Sequence, residues 1–419
     1  MIPWDAPVAT GPVHATVTVP GSKSASARAY LLAALAEGPS ELFGVLDARD
    51  TRLMRAALED LGTQFTDTDE GSVLVTPPAA FTGGGTLECG LSGTVMRFVP
   101  PVAALARGVT RFVGDPGAES RPVAPLLDAL RELGVAVVGD RLPFEVTGSS
   151  SLTGGEVAVD ASASSQFITA LLLSGCRFPQ GLTVRALGQV PSMPHIEMTL
   201  SMLRARGVTI QQPDQRTWQV QPGTIRAARD VVEPDLTNAA TLCAAALITR
   251  GTITTAWPQD SVQAGGPLLA ALAAFGADVG RVGDQVIVDG SAGIRGADVD
   301  LHQISELTCA VAALAALAEG PSRIRGVAHI RGHETDRLNA LTGEITNLGG
   351  NVIETEDGLL IQPAPLHGGL FGTHSDHRMA HAGALLGLVV PGITLDDLGC
   401  TTKTLPDFAG LWTSMLAGA

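Results

Sequence analysis

Residues 235–251, DLTNAATLCAAALITRG, and the run Thr252–Ala256, TITTA, which follows them, decide the fold. An aspartate suited to a helix N-cap stands at the start, and a glycine stands at the end. The Ala- and Leu-rich run between them is apolar on nearly every side, which is typical of a buried helix. The β-branched run after the glycine predicts a strand. The stretch therefore predicts a buried helix that leads directly into a strand.

The same pattern occurs six times, at intervals of roughly 70 residues. The residues expected to cap the six helices are Ser22, Ser92, Ser165, Asp235, Ser305 and Asp376. The glycines that precede the six strands are Gly38, Gly108, Gly181, Gly251, Gly320 and Gly392. A second, amphipathic helix follows each strand, and the glycines that end these helices are Gly62, Gly134, Gly207, Gly276, Gly349 and Gly418. Each unit thus reads helix–strand–helix–strand–strand.

Six such units indicate an α/β (α+β) fold with two domains of three units each, in which sheets surround buried helices: a two-domain inside-out α/β barrel, or β/α prism. We expect residues 21–232 to form the N-terminal domain. Residues 1–20 and 233–419 would form the C-terminal domain. The sixth unit lacks closing strands, and the alternating segment 15–19 is expected to supply them. An ordinary α/β chain with coincidental glycines is the alternative.

The composition excludes several classes of protein. The 419 residues are 45% hydrophobic and carry a net charge of −15, which opposes general binding to nucleic acids or anionic lipid. No secretory h-region begins the chain, and no apolar run reaches the roughly 20 residues that a bilayer requires. The five cysteines form no CxxC pair and are expected to be buried reduced thiols. We therefore expect a cytoplasmic protein that binds neither nucleic acid nor membrane.

The polar residues concentrate at the first-helix N-termini and in the loops after the following strands. Free N–H groups at a helix N-terminus attract anions, and arginine binds phosphate or carboxylate bidentately. Only two of the 27 basic residues are lysines, Lys23 and Lys403, and both lie at these positions. The pattern predicts a site between the two domains for a small molecule with more than one anionic group. Ordinary capping and surface ion pairs are the alternative.

Signatures of nucleotide and metal sites are weak. Residues 21–24, GSKS, lack the upstream glycine of a Walker A loop. His374, His377 and His381 form no HExxH pattern, so we interpret them as structural or substrate-binding residues and expect no metal.

Seven motifs resemble those of the enolpyruvyl transferases, and most closely the family of 5-enolpyruvylshikimate-3-phosphate (EPSP) synthases, or 3-phosphoshikimate 1-carboxyvinyltransferases. They extend over nearly the whole chain. The motifs are Pro20-Gly-Ser-Lys-Ser24 with Arg28, Ser92-Gly-Thr94 with Arg97, Ser120-Arg-Pro122, Ser164-Ser-Gln-Phe167, Glu334-Thr-Asp-Arg337, Asp376-His-Arg-Met379 and Lys403-Thr-Leu-Pro-Asp407. The resemblance implies transfer of the enolpyruvyl group of phosphoenolpyruvate to the 5-hydroxyl of shikimate 3-phosphate, by addition and elimination through a tetrahedral ketal. This step of the shikimate pathway leads to chorismate and aromatic amino acids. The resemblance implies no cofactor, and we expect a monomer.

The resemblance also assigns site residues by position. Shikimate 3-phosphate is expected to contact Lys23, Ser24, Arg28, Ser164, Ser165, Gln166, Ser192, Glu306, His329 and His333. Phosphoenolpyruvate is expected to contact Lys23, Gly93, Arg121, Gln166, Arg337, Arg378 and Lys403. The expected catalytic residues are Lys23, Glu306, Glu334 and His333. Glu306 would take or orient the hydroxyl proton, Glu334 would protonate the methylene carbon, and Lys23 would carry a proton. Which residue performs each proton transfer stays open.

The chain departs from the usual family pattern in a few places. Glu306 replaces the usual aspartate, and His329 and His333 replace an asparagine and a lysine. A protonated histidine could stand in for the lysine charge. Gly93 leaves room beside the phosphoenolpyruvate site, so we expect sensitivity to glyphosate.

Two alternatives share the fold. A UDP-N-acetylglucosamine enolpyruvyl transferase would have Lys-Asn at positions 23–24 and a cysteine in the loop at 115–121, which has none here. A non-catalytic anion-binding protein is the other alternative, and only His329 and His333 favour it.

Overall fold

A computed structural model describes residues 2–149 and 152–417. Its contacts divide the chain into an N-terminal unit, residues 21–233, and a C-terminal unit, which comprises the described residues of 1–20 and 234–419. The second crossing between the units falls after Glu233, whereas the sequence analysis placed it after residue 232.

Two short strands of the C-terminal unit begin the chain, β1 (Trp4–Asp5) and β2 (His14–Val17). The first two repeats of the N-terminal unit contain, in order, α1 (Lys23–Ala34), β3 (Ser40–Phe43), α2 (Arg49–Asp60), β4 (Gln64–Asp67), β5 (Val73–Thr76), β6 (Thr86–Glu88), α3 (Gly93–Ala103), β7 (Gly108–Val113), α4 (Ala124–Glu132), β8 (Ala136–Val138) and β9 (Phe144–Gly148). The third repeat contains β10 (Gly155–Asp160), α5 (Gln166–Gly175), β11 (Leu182–Leu187), α6 (Met193–Ala205), β12 (Ile210–Asp214), β13 (Thr217–Val220) and β14 (Arg229–Val231).

The C-terminal unit continues in the same order. Its elements are α7 (Leu236–Thr249), β15 (Thr252–Ala256), α8 (Gly265–Ala274), β16 (Asp278–Val282), β17 (Gln285–Asp289), β18 (Asp298–Asp300), α9 (Thr308–Leu317), β19 (Ser322–Arg325), α10 (Arg337–Asn347), β20 (Asn351–Glu354), β21 (Leu359–Gln362), β22 (Gly369–Phe371), α11 (His377–Gly387), β23 (Ile393–Leu395) and α12 (Phe408–Leu416). Three short 3₁₀ turns, Ser305–Leu307, Ala328–Gly332 and Gly399–Lys403, carry the predicted site residues Glu306, His329 and Lys403.

The first helix of each repeat lies at the centre of its unit. In α7 every residue except Thr237 is buried, and α5 is buried from Phe167 to its end. The central helices α1, α3 and α5 contact one another, as do α7, α9 and α11. The second helices bury only one side, for example Met54, Ala57 and Leu58 on α2. Small Ala-rich surfaces let helices approach closely, so each unit is a set of sheets around three buried helices, as the repeat predicts.

Each repeat contributes one sheet, and the sheets show a strand that the sequence analysis missed. In five of the six sheets the order is outer strand, antiparallel neighbour, central strand and a parallel edge strand, as in β8-β9-β7-β6; the β1-β23-β22 sheet has three strands. The parallel edge strand usually precedes the first helix of its repeat, as β6 precedes α3 and β18 precedes α9. These strands are three to six residues long, too short for their alternation to be conspicuous.

In the first and fourth repeats the parallel edge strand comes from a distant part of the chain within the same unit. β14, at the end of the N-terminal unit, lies parallel to β3 of the first repeat. β2 lies parallel to β15 and so completes the fourth repeat, whereas the sequence analysis assigned segment 15–19 to the sixth. β1 instead pairs antiparallel with β23 and completes the sixth repeat. The chain enters the N-terminal unit just before α1 and the C-terminal unit just before α7, so neither helix is directly preceded by a strand of its own unit. The edge strand of the first repeat is therefore β14, just before the second crossing, and that of the fourth repeat is β2, before the first crossing.

The predicted helix ends are mostly confirmed. Ser22, Ser92, Asp235 and Asp376 accept hydrogen bonds from backbone N–H groups in the first turns of α1, α3, α7 and α11. Ser165 is the N-cap of α5 without such a bond. The prediction for Ser305 is wrong, because it begins a 3₁₀ turn and α9 starts only at Thr308.

The glycines predicted to end the second helix of each repeat are confirmed for the repeats in which that glycine is described. The five described ones have positive φ and are Gly62, Gly134, Gly207, Gly276 and Gly349. Gly418 lies outside the described residues. In the described part of the chain no helix is long and apolar enough to span a bilayer. All five cysteines are free, and Cys400 alone among them is only partly buried.

Candidate active site

Arg28 is a buried cation of the N-terminal unit with neutral partners. Its side chain lies on α1 and is 1% exposed. Nε donates to Thr199 Oγ1 at 2.8 Å, Nη1 donates to the Ser24 carbonyl at 2.8 Å, and Nη2 donates to the His195 carbonyl at 3.1 Å. The ring of Phe98 lies 5.2 Å from the guanidinium. No carboxylate of the described residues pairs with Arg28, and burial lowers the pKa of its guanidinium to about 9.

A second group of the N-terminal unit joins the N-termini of α3 and α5. Arg97 Nη1 donates to Gln166 Oε1 at 2.7 Å, while its Nε and Nη2 donate to the Pro122 carbonyl at 3.1 and 2.9 Å. Arg121 Nη1 donates to the Leu91 carbonyl at 2.7 Å. A methyl group on Gly93 would lie 2.9 Å from Arg121 Nη2 and 3.2 Å from Arg97 Nη1. Only a glycine at this position allows both guanidinium groups to approach the start of α3 so closely.

The remaining predicted residues of this unit also lie at helix N-termini. Lys23 is the first residue of α1, and its Nζ lies 3.5 Å from Asp50 Oδ2. Ser164 Oγ accepts a hydrogen bond from the Gln166 N–H at the start of α5. Ser192 is the N-cap of α6 with φ 52°. Free N–H groups and cations therefore meet at these helix starts, which is the arrangement that holds anions.

Arg337 is the centre of an ion cluster in the C-terminal unit. It begins α10, and its side chain is 1% exposed. Nε and Nη2 donate to the two oxygens of Asp376 at 2.8 and 3.2 Å, and Nη2 also donates to Glu334 Oε2 at 3.0 Å. Nη1 donates to Glu306 Oε2 at 3.2 Å and to His333 Nδ1 at 3.0 Å. These bonds use all five N–H groups.

The charge state of Arg337 follows from these partners. Burial lowers the pKa of its guanidinium, but the carboxylates of Asp376, Glu306 and Glu334 raise it by more, so the pKa lies well above the ordinary value. A direct contact with phosphoenolpyruvate therefore requires that one of the carboxylates leave. In this arrangement Arg337 organises the cluster and has no donor to spare for a substrate.

Arg378 differs from Arg337 in having unused donors. It lies in the first turn of α11, and Nη1 donates to Asn238 Oδ1 at 2.8 Å. Nε lies 3.8 Å from Glu306 Oε2, too far for a hydrogen bond. The other four N–H groups find no acceptor among the described residues, although the side chain is buried. A buried guanidinium with open donors is well suited to an anionic ligand.

Glu306 lies in the 3₁₀ turn before α9 with about a third of its side chain exposed. Burial would raise the pKa of its carboxyl, but Arg337, with His333 and Arg378, holds it well below the ordinary value. Oε2 accepts from Arg337, while Oε1 lies 3.9 Å from His333 Nδ1. Glu306 is therefore ionised near neutral pH, and Oε1 can accept a hydrogen bond from a substrate hydroxyl.

Glu334 and Lys403 form the remaining ion pair of the cluster. Glu334 is nearly buried; one oxygen accepts from Arg337 and the other from Lys403 Nζ. Lys403 ends the 3₁₀ turn Gly399–Lys403. The carboxyl group thus lies between two cations, one of which, the lysine, can exchange protons with it.

The histidines near Glu306 are neutral, which corrects one expectation. His333 Nδ1 accepts from Arg337, which can only donate, so the proton of His333 lies on Nε2. Burial, with Arg337, lowers the pKa of His333 to about 3. Burial also lowers the pKa of His329, whose Nε2 lies 2.9 Å from Ser305 Oγ, to about 4. A protonated His333 that replaces a lysine charge is therefore wrong, because Arg337 opposes a second positive charge there.

The structure separates the predicted residues into two sets, each confined to one unit. The set of the N-terminal unit is Lys23, Ser24, Arg28, Gly93, Arg121, Ser164, Ser165, Gln166 and Ser192. The set of the C-terminal unit is Glu306, His329, His333, Glu334, Arg337, Arg378 and Lys403.

Several side chains that form hydrogen bonds or ion pairs with these residues were not among the predicted site residues: Asp50, Arg97, Thr199, Asn238, Ser305 and Asp376. Arg97 and Asp376 belong to the quoted motifs, and a polar residue in the first turn of a central helix was the signal that could have identified Asn238. No group of three or more His, Cys, Asp or Glu side chains in the described part of the chain is placed to hold a metal ion.

Comparisons with known proteins identify the family of the chain. The family model for EPSP synthase (3-phosphoshikimate 1-carboxyvinyltransferase) matches residues 8–412. A 3-phosphoshikimate 1-carboxyvinyltransferase of Mycobacterium ulcerans (strain Agy99) is 50% identical to the chain, and the match covers 100% of this chain and 98% of that protein.

Solved structures share the fold. An EPSP synthase from Acinetobacter baumannii, solved at 2.37 Å, superposes with a TM-score of 0.80 at 23% identity and covers 98% of this chain and 97% of its own. A second structure of an EPSP synthase from that organism gives a TM-score of 0.79 at 22% identity, with 98% of both chains covered. The match to the family model over nearly the whole chain and the 50% identity to a full-length relative show that the chain belongs to the EPSP synthase family.

Proposed function

We propose that the protein transfers the enolpyruvyl group of phosphoenolpyruvate to the 5-hydroxyl of shikimate 3-phosphate and releases phosphate. Membership of the EPSP synthase family supports this reaction. The observation that carries it is a pair of buried guanidinium groups with open donors, Arg28 and Arg378. Burying a guanidinium whose N–H donors lack acceptors costs free energy, which bound phosphate and carboxylate groups would offset.

Shikimate 3-phosphate is proposed to bind mainly to the N-terminal unit. Arg28 has two N–H groups left after its three hydrogen bonds, and these would donate to an anionic group of the substrate. The residues proposed to join it are Lys23, Ser24, Ser164, Ser165, Gln166 and Ser192. In the C-terminal unit His329 and the Nε2–H of His333 would bind as neutral groups. Glu306 Oε1 would accept a hydrogen bond from the 5-hydroxyl.

Phosphoenolpyruvate is proposed to use cations of both units. Arg121 lies against Gly93 in one, and Arg378 and Lys403 belong to the other. Lys23 and Gln166 would complete the set. Arg337 is proposed to join only after Glu306 or Glu334 gives up its hydrogen bond, because its five donors are otherwise used.

The proposed chemistry is an addition followed by an elimination. The 5-oxygen forms a bond to C2 of phosphoenolpyruvate as its proton passes toward Glu306, and a proton from Glu334 reaches C3 and makes a methyl group. The C2–O bond to phosphate then breaks and its electron pair leaves with the phosphate, while the methyl group returns one proton to the Glu334 carboxylate and the double bond forms again. Because both oxygens of Glu334 accept hydrogen bonds, Lys403 would supply the proton to Glu334 before the addition and take it back after the elimination. Lys23 is proposed to carry a proton on phosphate.

Release of inorganic phosphate tests the reaction. We expect release that requires both phosphoenolpyruvate and shikimate 3-phosphate, and little release when either is omitted. Release with UDP-N-acetylglucosamine in place of shikimate 3-phosphate would support the other transferase, and no release with either would support a non-catalytic protein. Turnover that is unchanged in Lys23→Ala or Glu334→Ala would contradict the site assignment.

We further propose that the protein acts as a monomer in the cytoplasm, without metal or organic cofactor. The net charge of −15 opposes partners such as nucleic acid or anionic membranes. Full activity in excess chelator and a light-scattering mass near 43.0 kDa are the expected results. Activity that is lost with chelator and restored by a metal ion, or a dimer mass, would contradict the respective part.

Glyphosate is expected to inhibit the protein in competition with phosphoenolpyruvate, because residue 93 has no side chain beside Arg121. The measurement is phosphate release at rising glyphosate concentrations. Full activity at glyphosate well above the phosphoenolpyruvate concentration would refute this expectation.

A further inference from the structure

The turn before α11 has an unfavourable backbone conformation. His374 and Ser375 have φ of 53° and 56°, so two consecutive residues with side chains lie in the left-handed region. A Cβ makes this region costly, and such residues persist only where their surroundings hold them. Both residues are exposed, so burial of their own side chains does not hold the turn. A backbone hydrogen bond from the Asp376 N–H to the Thr373 carbonyl closes the turn, and contacts from outside hold its flanks.

Glu344 contacts this turn with both carboxylate oxygens. Oε2 accepts from the Gly372 N–H at 2.9 Å, and Oε1 accepts from His374 Nε2 at 2.8 Å. A methyl group on Gly372 would lie 2.7 Å from Glu344 Oε1, so the glycine is needed for this close approach. On the other side Asp396 accepts from the N–H and the hydroxyl of Thr373. The turn is thus held at both flanks, and Glu344 provides the contact to His374 itself.

The turn ends at Asp376, which binds both arginines of the ion cluster. Its carboxylate accepts two hydrogen bonds from Arg337 and one from the backbone N–H of Arg378. Glu344 and Arg337 lie seven residues apart on α10, two turns along the same face. One face of α10 therefore contacts the segment 372–376 at two points. Glu344 binds the start of the segment at Gly372, and Arg337 binds its end at Asp376.

We propose that Glu344 is a positioning residue: it holds the strained turn 372–376 in the conformation that directs Asp376 at Arg337 and Arg378. The geometry of the Arg337 guanidinium, and of the first turn of α11 that carries Arg378, then depends on Glu344, which belongs to no proposed substrate contact. Because phosphoenolpyruvate is the proposed ligand of these groups, this inference rests on the proposed function. Loss of Glu344 weakens phosphoenolpyruvate binding and leaves shikimate 3-phosphate binding, mainly in the other unit, nearly unchanged.

The test compares Glu344→Ala with Glu344→Ala/Ser375→Gly. In the single variant we expect kcat/KM for phosphoenolpyruvate to fall about tenfold or more, since small displacements of binding groups have effects of this size. A glycine adopts positive φ without strain, so Ser375→Gly should restore part of this loss. KM for shikimate 3-phosphate should change less than about twofold in both. Glu344→Gln, which keeps the shape and an acceptor, should retain most of the activity.

The matched control is Glu356→Ala, which removes one exposed negative charge from the same unit. It and Ser375→Gly alone should behave like the wild type. Loss in Glu344→Ala with no recovery in the double variant would show a role other than holding the turn and would overturn the proposal, as would an unchanged KM for phosphoenolpyruvate. If Glu344→Ala does not fold, His374→Ala, which removes one contact of an exposed residue, serves in its place with the same expected recovery by Ser375→Gly. A wild-type protein without turnover would instead refute the proposed function.

Discussion

Arg28 and Arg337 are equally buried, at 1% exposure, yet their partners are opposite in kind. Arg28 donates to a hydroxyl and two carbonyl oxygens, and Arg337 donates to three carboxylates and an imidazole. The first cation retains an unmatched charge, whereas the charge of the second is neutralised within the protein. The comparison indicates that burial alone does not identify a ligand-binding arginine. The groups around the guanidinium determine how many of its donors remain open to the anionic ligand that we propose.

The largest expected effect is that of Arg337→Met on stability. The substitution leaves Asp376, which is fully buried, without its cation. Breaking a buried ion pair from one side costs about 3–5 kcal/mol, so we expect the free energy of unfolding to fall by this amount in urea titrations.

A matched control for Arg337→Met is Arg250→Met, which breaks an exposed pair with Glu319. It should cost no more than about 1 kcal/mol. Equal losses in the two variants would refute the structural role of the Arg337 cluster.

Arg28→Met should affect substrate binding more than stability, the opposite of Arg337→Met. It removes a cation whose partners are neutral, so we expect a loss of stability of no more than about 2 kcal/mol. KM for shikimate 3-phosphate should rise about 100-fold, the equivalent of one or two charge-assisted hydrogen bonds. Steady-state kinetics would measure it, with KM for phosphoenolpyruvate as the internal control. An unchanged KM for shikimate 3-phosphate would contradict the assignment of Arg28.

Gly93→Ala tests the close approach in the second N-terminal group. The new methyl group would lie 2.9 Å from Arg121 Nη2, so the guanidinium must shift. Because such a displacement weakens binding without removing a charge, we expect KM for phosphoenolpyruvate to rise about tenfold. KM for shikimate 3-phosphate should remain within about twofold. A larger effect on shikimate 3-phosphate than on phosphoenolpyruvate would show that the two binding regions are assigned in the wrong order.

The effect expected of the neutral histidines is absent at neutral pH and appears only as the pH falls. The pKa of His333 is lowered to about 3 in the folded protein, against about 6.5 in the unfolded chain. Above pH 6.5 both states are neutral there, and as pH falls toward 3 only the unfolded state gains the proton. Stability is therefore lost as pH falls through this window, by about 1.4 kcal/mol per pH unit for one such group.

His333→Gln should remove about one proton from this pH dependence when unfolding in urea is measured between pH 4 and 6. The exposed His367→Gln serves as the control and should leave the slope unchanged. An identical slope for wild type and His333→Gln would mean that His333 is protonated in the folded protein.

The helices of the repeat could be predicted because their signals are local. Alanine-rich runs, the caps Ser22, Ser92 and Asp235, and the glycines after the second helices all act within one helical turn. Ser305 is the exception, because the chain there forms a 3₁₀ turn that brings Glu306 next to Arg337. At Ser305 the local signal for a helix N-cap is therefore outweighed by the contact between Glu306 and Arg337, which lie 31 residues apart in the chain.

The sequence by itself determined the six repeats, the buried helices, the family and the residues that bring charge to the helix N-termini. Only the tertiary structure decided that β2 completes the fourth repeat, that Arg337 has no free donor, that His333 is neutral and that Glu344 contacts the turn before α11. Helix periodicity and capping depend on residues close in the chain. Strand pairing, ion pairing and desolvation depend on which distant residues become neighbours, and the repeat pattern does not contain that information.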